Sequence, residues 1–295
     1  MLIKHYICIA YKAMWGEALK FACKVTGFNK IRPLGAKVDG KDVIITLTSY
    51  GRRLNSTLPY TLFSLFRQSV MPSKIVLVLD DLDKDNLGNN LELFKSKGLE
   101  IIFDDRNLRS YKKLIPTIEK YPDEIIITVD DDVYYRRHFL ENMLKSFFQD
   151  KTCIHANMLH QITLDSEGRL NDYRNWIDTD FVKNLDITMG FPVGEGGILY
   201  QRSLLYQDVT NVELFKKLCP RADDIWFFVM AKLLRTKYRE VKAQKNYFVP
   251  LDVFYQFTHK EASLSASNRD EDMNDVQIKN VLNYYNTTMK ELLFP

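Results

Sequence analysis

Cysteine is scarce and scattered in this sequence. Cys8, Cys23, Cys153 and Cys219 show neither the C-x-x-C spacing of a zinc site nor the density of a secreted disulfide framework. Reduced thiols in a cytosolic protein are the expectation. An excess of one charge is lacking too: 41 basic against 38 acidic residues leave +3, so the whole chain carries no nucleic-acid footprint. No internal repeat, low-complexity tract or Pro/Gly/Ser-rich linker divides the 295 residues, which argues for one unit with two halves. An unbroken apolar run is missing from the first forty residues, where Lys4, Lys12, Glu17 and Lys20 interrupt every candidate. That excludes a signal-peptide core or a membrane-spanning helix there.

What is present is ordinary globular material, 46% hydrophobic and 27% charged. The first forty residues are basic, with seven Lys or Arg against Glu17 before Asp39, and interleave Tyr6, Ile9, Trp15 and Phe21. Two readings follow: a segment lying on an anionic membrane surface, or a helix packed on the main domain with solvated lysines.

After Gly40 strands and helices alternate. "DVIITLTSY" (42–50), "KIVLVLDD" (74–81), "LEIIFDD" (99–105) and "DEIIITVDDD" (123–132) are short Val/Ile-rich runs. "LPYTLFSLFRQ" and "SYKKLIPTIEKYPD" have helical apolar spacing between them. Strands apolar through their middles belong in a sheet covered on both faces, so an α/β class with a mostly parallel, doubly wound sheet is predicted. From about residue 161 the pattern turns irregular until the helical run "ADDIWFFVMAKLLR".

Asp130, Asp131 and Asp132 stand where the fourth run ends, which in an open α/β sheet is where ligands bind. Strand alternation would send Asp130 and Asp132 to one side, able to share a ligand. Adjacent carboxylates repel unless a cation compensates, and oxygen donors favour magnesium or manganese. The alternative is an acidic turn in which Asp132 caps a helix over "VYYRRHFLENMLKSFF".

"VIITLTSYGRR", "KIVLVLDD", "IIITVDDDVYY", "VGEGGILY" and "ADDIWF", in that order, resemble glycosyltransferases of the GT-A fold, especially bacterial family-2-like enzymes that build surface polysaccharides. The resemblance implies a GT-A-like sheet with an irregular acceptor-side half. It implies Asp130 and Asp132 as ligands of a manganese or magnesium ion that holds the diphosphate of a nucleotide sugar, with Asp131 facing the ribose or donor sugar. It places Thr48, Ser49 and Tyr50 against the nucleotide and Asp80 or Asp81 at the base. Related enzymes often complete the metal shell with a histidine, here His259. In inverting members the general base comes from an acidic pair at a helix start, usually Glu-Asp; here it is Asp223-Asp224, with Asp224 favoured.

Other residues fit these roles physically. Arg52 or Arg53 could meet phosphate, and Lys113, with Lys112, could compensate it; solvated loop or helix charge is the alternative. Gly194, Glu195, Gly196 and Gly197 form a loop that lets backbone approach donor or acceptor closely. The chain is thus expected to comprise a basic segment (1–40), a nucleotide-sugar half (41–155), an acceptor and catalytic half (156–262) and a helical tail (263–295). The expected partners are a nucleotide-diphosphate sugar and a glycan or lipid-linked acceptor, in the cytoplasm and at the inner face of the membrane. A nucleotidyltransferase is the enzymatic rival, but "TSYGRRLNS" lacks its glycine- and lysine-rich first loop. A non-catalytic carbohydrate-binding or assembly protein would need neither acidic cluster.

Overall fold

Val43–Thr48 forms strand β1, whose first five residues are buried, as a β-branched run in the middle of a covered sheet should be. The computed structural model describes residues 2–35, 37–88, 90–178, 187–241, 247–259 and 273–294, omitting the side chains of 2–8, 29 and 178. Parallel to β1 run β2 (Lys74–Leu79) on one side and β4 (Ile125–Thr128) on the other, and β3 (Leu99–Phe103) lies beyond β2. Among the described residues the sheet is completed by β6 (Cys153–Ala156), β10 (Ile198–Tyr200) and β11 (Lys237–Glu240), in the order β11-β6-β10-β4-β1-β2-β3. Only β10 in this set runs antiparallel to its neighbours. The sheet is therefore mostly parallel, as expected from its unbroken apolar runs.

Period-two alternation assigns the residues of β1 to two layers. Val43, Ile45 and Leu47 join a cluster with α3 (Leu58–Leu65) and α6 (Phe139–Gln149). On the opposite face Thr46 bonds Thr117 of α5 (Ile115–Lys120), hydroxyl to hydroxyl at 2.7 Å. Farther along that face Ile126, Ile198 and Tyr200 pack under α8 (Asp223–Leu233). Each fully buried Ile or Leu contributes about 1.5–3 kcal/mol relative to exposure. The sheet order also creates a switch point. From β1 the chain goes outward to β2 and β3, then returns to place β4 on the other side of β1, so a crevice opens beyond the carboxyl ends of β1 and β4.

A helix starting at Val133 does not form. Val133–Tyr135 is strand β5, paired antiparallel with β12 (Phe248–Pro250), and α6 begins only at Phe139 behind His138. The Val-Tyr-Tyr triplet is β-favouring, and Val133 and Tyr135 are buried while Tyr134 is half-buried, a strand's alternation. Asp132 consequently caps no helix. The irregular half contains a second small sheet, β7 (Leu159–Gln161), β8 (Ile177–Asp178) and β9 (Gly190–Pro192), in the order β8-β7-β9.

The two chain ends pack on this frame. Helix α1 (Leu2–Thr26) lies on β12 and on α9 (Val253–Thr258); a Cβ added at Gly16 would come 2.7 Å from the Pro250 carbonyl oxygen. Of the tail expected over 263–295, residues up to 272 lie outside the described set. The helices Met273–Tyr284 and Met289–Leu293 bury Ile278, Val281, Leu292 and Leu293 in the same cluster as α8. Among the described residues no helix is long and apolar enough to cross a membrane.

Candidate active site

Strand β4 ends at Thr128, and the three aspartates occupy the turn between β4 and β5. Because that stretch is a turn, strict alternation is lost. Asp131 and Asp132 share one cation, and Asp130 faces another. Arg53, in the short helix α2 (Arg53–Ser56), places Nη1 3.0 Å from Asp131 Oδ1 and Nη2 3.0 Å from Asp132 Oδ2. Ser49 Oγ also donates to Asp131, while Thr61 Oγ1 donates to its main-chain carbonyl at 2.9 Å. Gln256 of α9 donates to Asp132 Oδ2 at 2.8 Å. Burial, with Asp131, Asp130 and Glu195 close by, pushes the Asp132 carboxyl up to about 8 against the downward pull of Arg53.

Asp130 looks the other way. Its Oδ1 lies 3.3 Å from Lys113 Nζ, and the same nitrogen lies 3.3 Å from Asp223 Oδ2. Lys113 sits in a 3₁₀ turn, Arg109–Lys113, that precedes α5 and buries both Lys112 and Lys113. Burial alone would lower the Lys113 ammonium; the carboxylates of Asp130, Asp223 and Asp224 hold it well above the usual lysine range. Lys112 reaches Asp80 Oδ2 at 3.4 Å, and Asp80 itself caps the next turn by accepting from the Leu82 N–H. Asp81 is exposed and paired with Lys84.

Neither acid of the "ADD" segment caps α8 with its side chain. Asp224 Oδ2 instead accepts from the Gly194 N–H at 3.1 Å, and burial, with Asp223 and Asp130 adding to it, raises its carboxyl to about 7 against Lys113. Gly194 is required by this packing, since a Cβ there would lie 2.9 Å from Lys113 Nζ and 3.1 Å from Asp224 Oδ1. Gly197, at φ +85°, closes the same loop in the left-handed region over the Phe139 ring. Gly196 offers its carbonyl to Asn157, and the Glu195 carbonyl accepts from Tyr135 Oη at 3.0 Å. Tyr135 Oη in turn accepts from the Asp130 N–H at 2.9 Å, so one phenol ties the aspartate turn to the glycine loop.

The loop after β1 lies beside these groups. Thr48 spends its hydroxyl on the Val78 carbonyl, while Tyr50 is half exposed with the Arg53 guanidinium 5.6 Å from its ring centroid. Arg52 pairs with Asp252 and stacks over the Tyr255 ring. His259, at the end of α9, stacks on Tyr255 with centroids 4.1 Å apart and meets Thr258 Oγ1 through Nδ1. His259 lies just past the helix end, and its partners among the described residues are Tyr255 and Thr258, not the aspartates.

The donor set at the end of β4 is all carboxyl oxygen, with two cations beside it. Asp130, Asp131, Asp132 and Glu195 stand against Arg53 and Lys113. Hard divalent cations such as magnesium or manganese suit such donors. Among the described residues, however, no three acidic, His or Cys side chains already converge on a single point.

A family model described as glycosyl transferase family 2 matches residues 43–206, more than half of the chain. The chain belongs to glycosyl transferase family 2. Its GT-A-like sheet and glycosyl transfer as its general chemistry follow from that membership. In this family-2 chain the match takes in β1, the aspartate turn and the glycine loop, and stops before Asp223 and Asp224. Among curated proteins none matches significantly. Similar solved structures include 4-diphosphocytidyl-2C-methyl-D-erythritol synthase from Anaerococcus prevotii DSM 20548, 14% identical with TM-score 0.48, covering 76% of this chain and 98% of that one. S. aureus TarS 1-349 is 13% identical with TM-score 0.45, covering 75% of this chain and 64% of that one. Its complex with UDP is 14% identical with TM-score 0.46, covering 73% and 62%.

Lys112 and Lys113, open in the sequence to reading as solvated helix charge, are buried by a 3₁₀ turn. Nothing local in the sequence announces Asp252, Gln256 or Asp83, which accepts from the Gly51 N–H at 3.3 Å. Only Tyr135, beside the aspartates in "DDDVYY", carried a local signal.

Proposed function

We propose that this family-2 enzyme moves a sugar from a nucleotide-diphosphate donor to a glycan or lipid-linked acceptor, with inversion and with a divalent cation, in bacterial surface polysaccharide synthesis at the cytoplasmic face of the membrane. The observation that carries the reading is Lys113, shared at 3.3 Å by Asp130 of the aspartate turn and Asp223 of the acidic pair. It puts a diphosphate-side cluster and a candidate base within one side chain of each other. Residues 41–155 supply the donor side, 156–262 the acceptor side.

Manganese or magnesium, when bound, supplies charge stabilisation for the departing diphosphate. Asp130 and Asp132 would hold it, with His259 as the candidate further ligand. Asp131 then orients the ribose or donor sugar, and Ser49 and Arg53 fix its rotamer. Thr48, Ser49 and Tyr50 line the nucleotide, with Asp80 or Asp81 toward the base. Arg52, Arg53 and Lys113 offer positive charge to phosphate oxygens. Asp224, raised to about 7 and oriented by the Gly194 N–H, accepts the proton of the acceptor hydroxyl. Asp223 keeps Lys113 in place between the two sides.

Calorimetric binding of a nucleoside-diphosphate panel, with and without manganese, tests the donor side on the native protein and on an Asp130→Ala, Asp132→Ala double variant. Tight binding of one nucleotide that needs both the cation and the carboxylates supports the reading. Absence of binding by folded native protein overturns it.

A further inference from the structure

The face that α1 turns to solvent is the wrong one for a helix simply packed on a soluble domain. Tyr11, Met14, Trp15, Ala18, Phe21, Ala22 and Val25 recur at i, i+3, i+4 and i+7, and every one is exposed. Met14, Phe21 and Val25 each remain 70% exposed, whereas Gly16 and Cys23, on the other side, are buried. The apolar stripe is therefore not the face that holds the helix to the fold. Helix α9, which packs against α1, adds Phe254 at 67% exposure and Phe257 at 43%. Exposed apolar groups clustered on two adjoining helices mark an interaction site.

Charge identifies what covers it. At 100° per residue, Lys12 and Lys24 stand about 120° to either side of the centre of the stripe, well beyond its edges, and both are exposed. Lys30 follows just beyond the helix, also exposed, and none of the three meets a carboxylate among the described residues. The one acid on the helix, Glu17, is paired with Lys20. A second copy of the chain would bring these lysines toward their own images, whereas an anionic lipid surface complements them. The aromatic and aliphatic groups are sized for the boundary between headgroups and acyl chains.

We infer that α1 and the exposed phenylalanines of α9 dock the enzyme on an anionic lipid bilayer, with α1 lying in the interface plane. The partner is a phosphatidylglycerol-type surface. The inference rests on the transferase reading only for its purpose, since Gln256, on the same short helix as Phe254, bonds Asp132 of the site. A lipid-linked acceptor held in that bilayer would meet the enzyme beside its aspartate turn.

Flotation of the full chain with vesicles of phosphatidylglycerol and phosphatidylcholine, and with phosphatidylcholine alone, tests the inference without nucleotide. Its failure is thus separable from failure of the transferase reading. The expected result is flotation with the anionic vesicles only, and a blue shift of tryptophan emission there. Trp15 reports that shift, because Trp176 and Trp226 are buried in the core. A Met14→Glu, Phe21→Glu variant should stay unfloated while keeping native circular dichroism. Lys12→Gln and Lys24→Gln should each lower partitioning roughly fivefold. Flotation unchanged in the charged variant, or no flotation of the native chain, overturns the inference. So does light scattering that shows a native dimer dissolved by the Met14→Glu, Phe21→Glu change, which would assign the face to a second copy.

Discussion

At the scale of single residues, the site turns on which carboxyl is free to take a proton. Asp224 stands near neutrality because it is buried beside Asp223, and it must be ionised to act as a base. Turnover at saturating donor should therefore climb as pH rises toward about 7 and level off above it. Asp224→Asn should lose about 10²–10⁴ of the rate with little change in donor binding, a kcat effect read from initial-rate kinetics. If that variant keeps native turnover, the proton goes elsewhere. Tyr135→Phe tests the tie between the aspartate turn and the glycine loop. It leaves the part-buried Asp130 N–H and Glu195 carbonyl short of a partner, at about 1 kcal/mol, measurable as a lower urea midpoint together with weaker nucleotide binding. An unchanged midpoint would mean that water replaces the phenol.

At the scale of elements, the four Val/Ile-rich runs became β1 to β4 with their ends trimmed, because burial on both faces leaves little choice for such residues. The helical run after "RAD" likewise became α8, and the aspartate and "ADD" clusters did come together. What the sequence concealed was short-range competition and long-range pairing. "VYY" could be read as the start of a helix until its pairing with Phe248–Pro250, more than a hundred residues later, is known. The lysines of "SYKK" could be read as exposed until Pro116, at the start of α5, is seen to leave the preceding residues in a tighter turn. Arg52 meets an acid 200 positions away, a contact no local pattern announces. The tail helices supply a further element-scale test. Gln277 accepts from the Arg221 N–H at 2.8 Å, bracing the loop that leads to Asp223. Ending the chain at residue 272 would also strip Ile278, Val281 and Leu293 from the core over α8. Such a truncation should give a protein that aggregates or melts early in calorimetry. A soluble truncation with native melting would show that α8 holds its place unaided.

For the whole molecule, buried carboxyls couple stability to pH in an unusual direction. Asp132 and Asp224 sit well above the ordinary value of 3.8, at about 8 and about 7. Between those limits the folded chain keeps protons that the unfolded chain has released, so stability should fall as pH rises from about 4 to about 8. Thermal melts across that window check the sign, and Asp132→Asn should flatten the slope. A melting temperature that rises with pH through the window would show that these carboxyls are ionised in the folded state. Manganese, if it displaces Arg53 from Asp132, should reduce the slope as well.

Lys113 binds the two halves of the chain to a common history. It comes from residues before the middle of the sequence, while one of its two carboxylate partners comes from well after it. A chimaera that takes its acceptor half from a relative must bring an acid at the position of Asp223 and a glycine at that of Gly194, or leave the buried ammonium with Asp130 alone. Exchange of acceptor specificity between such enzymes is thus expected to succeed as a package, with the loop and the helix start inherited together.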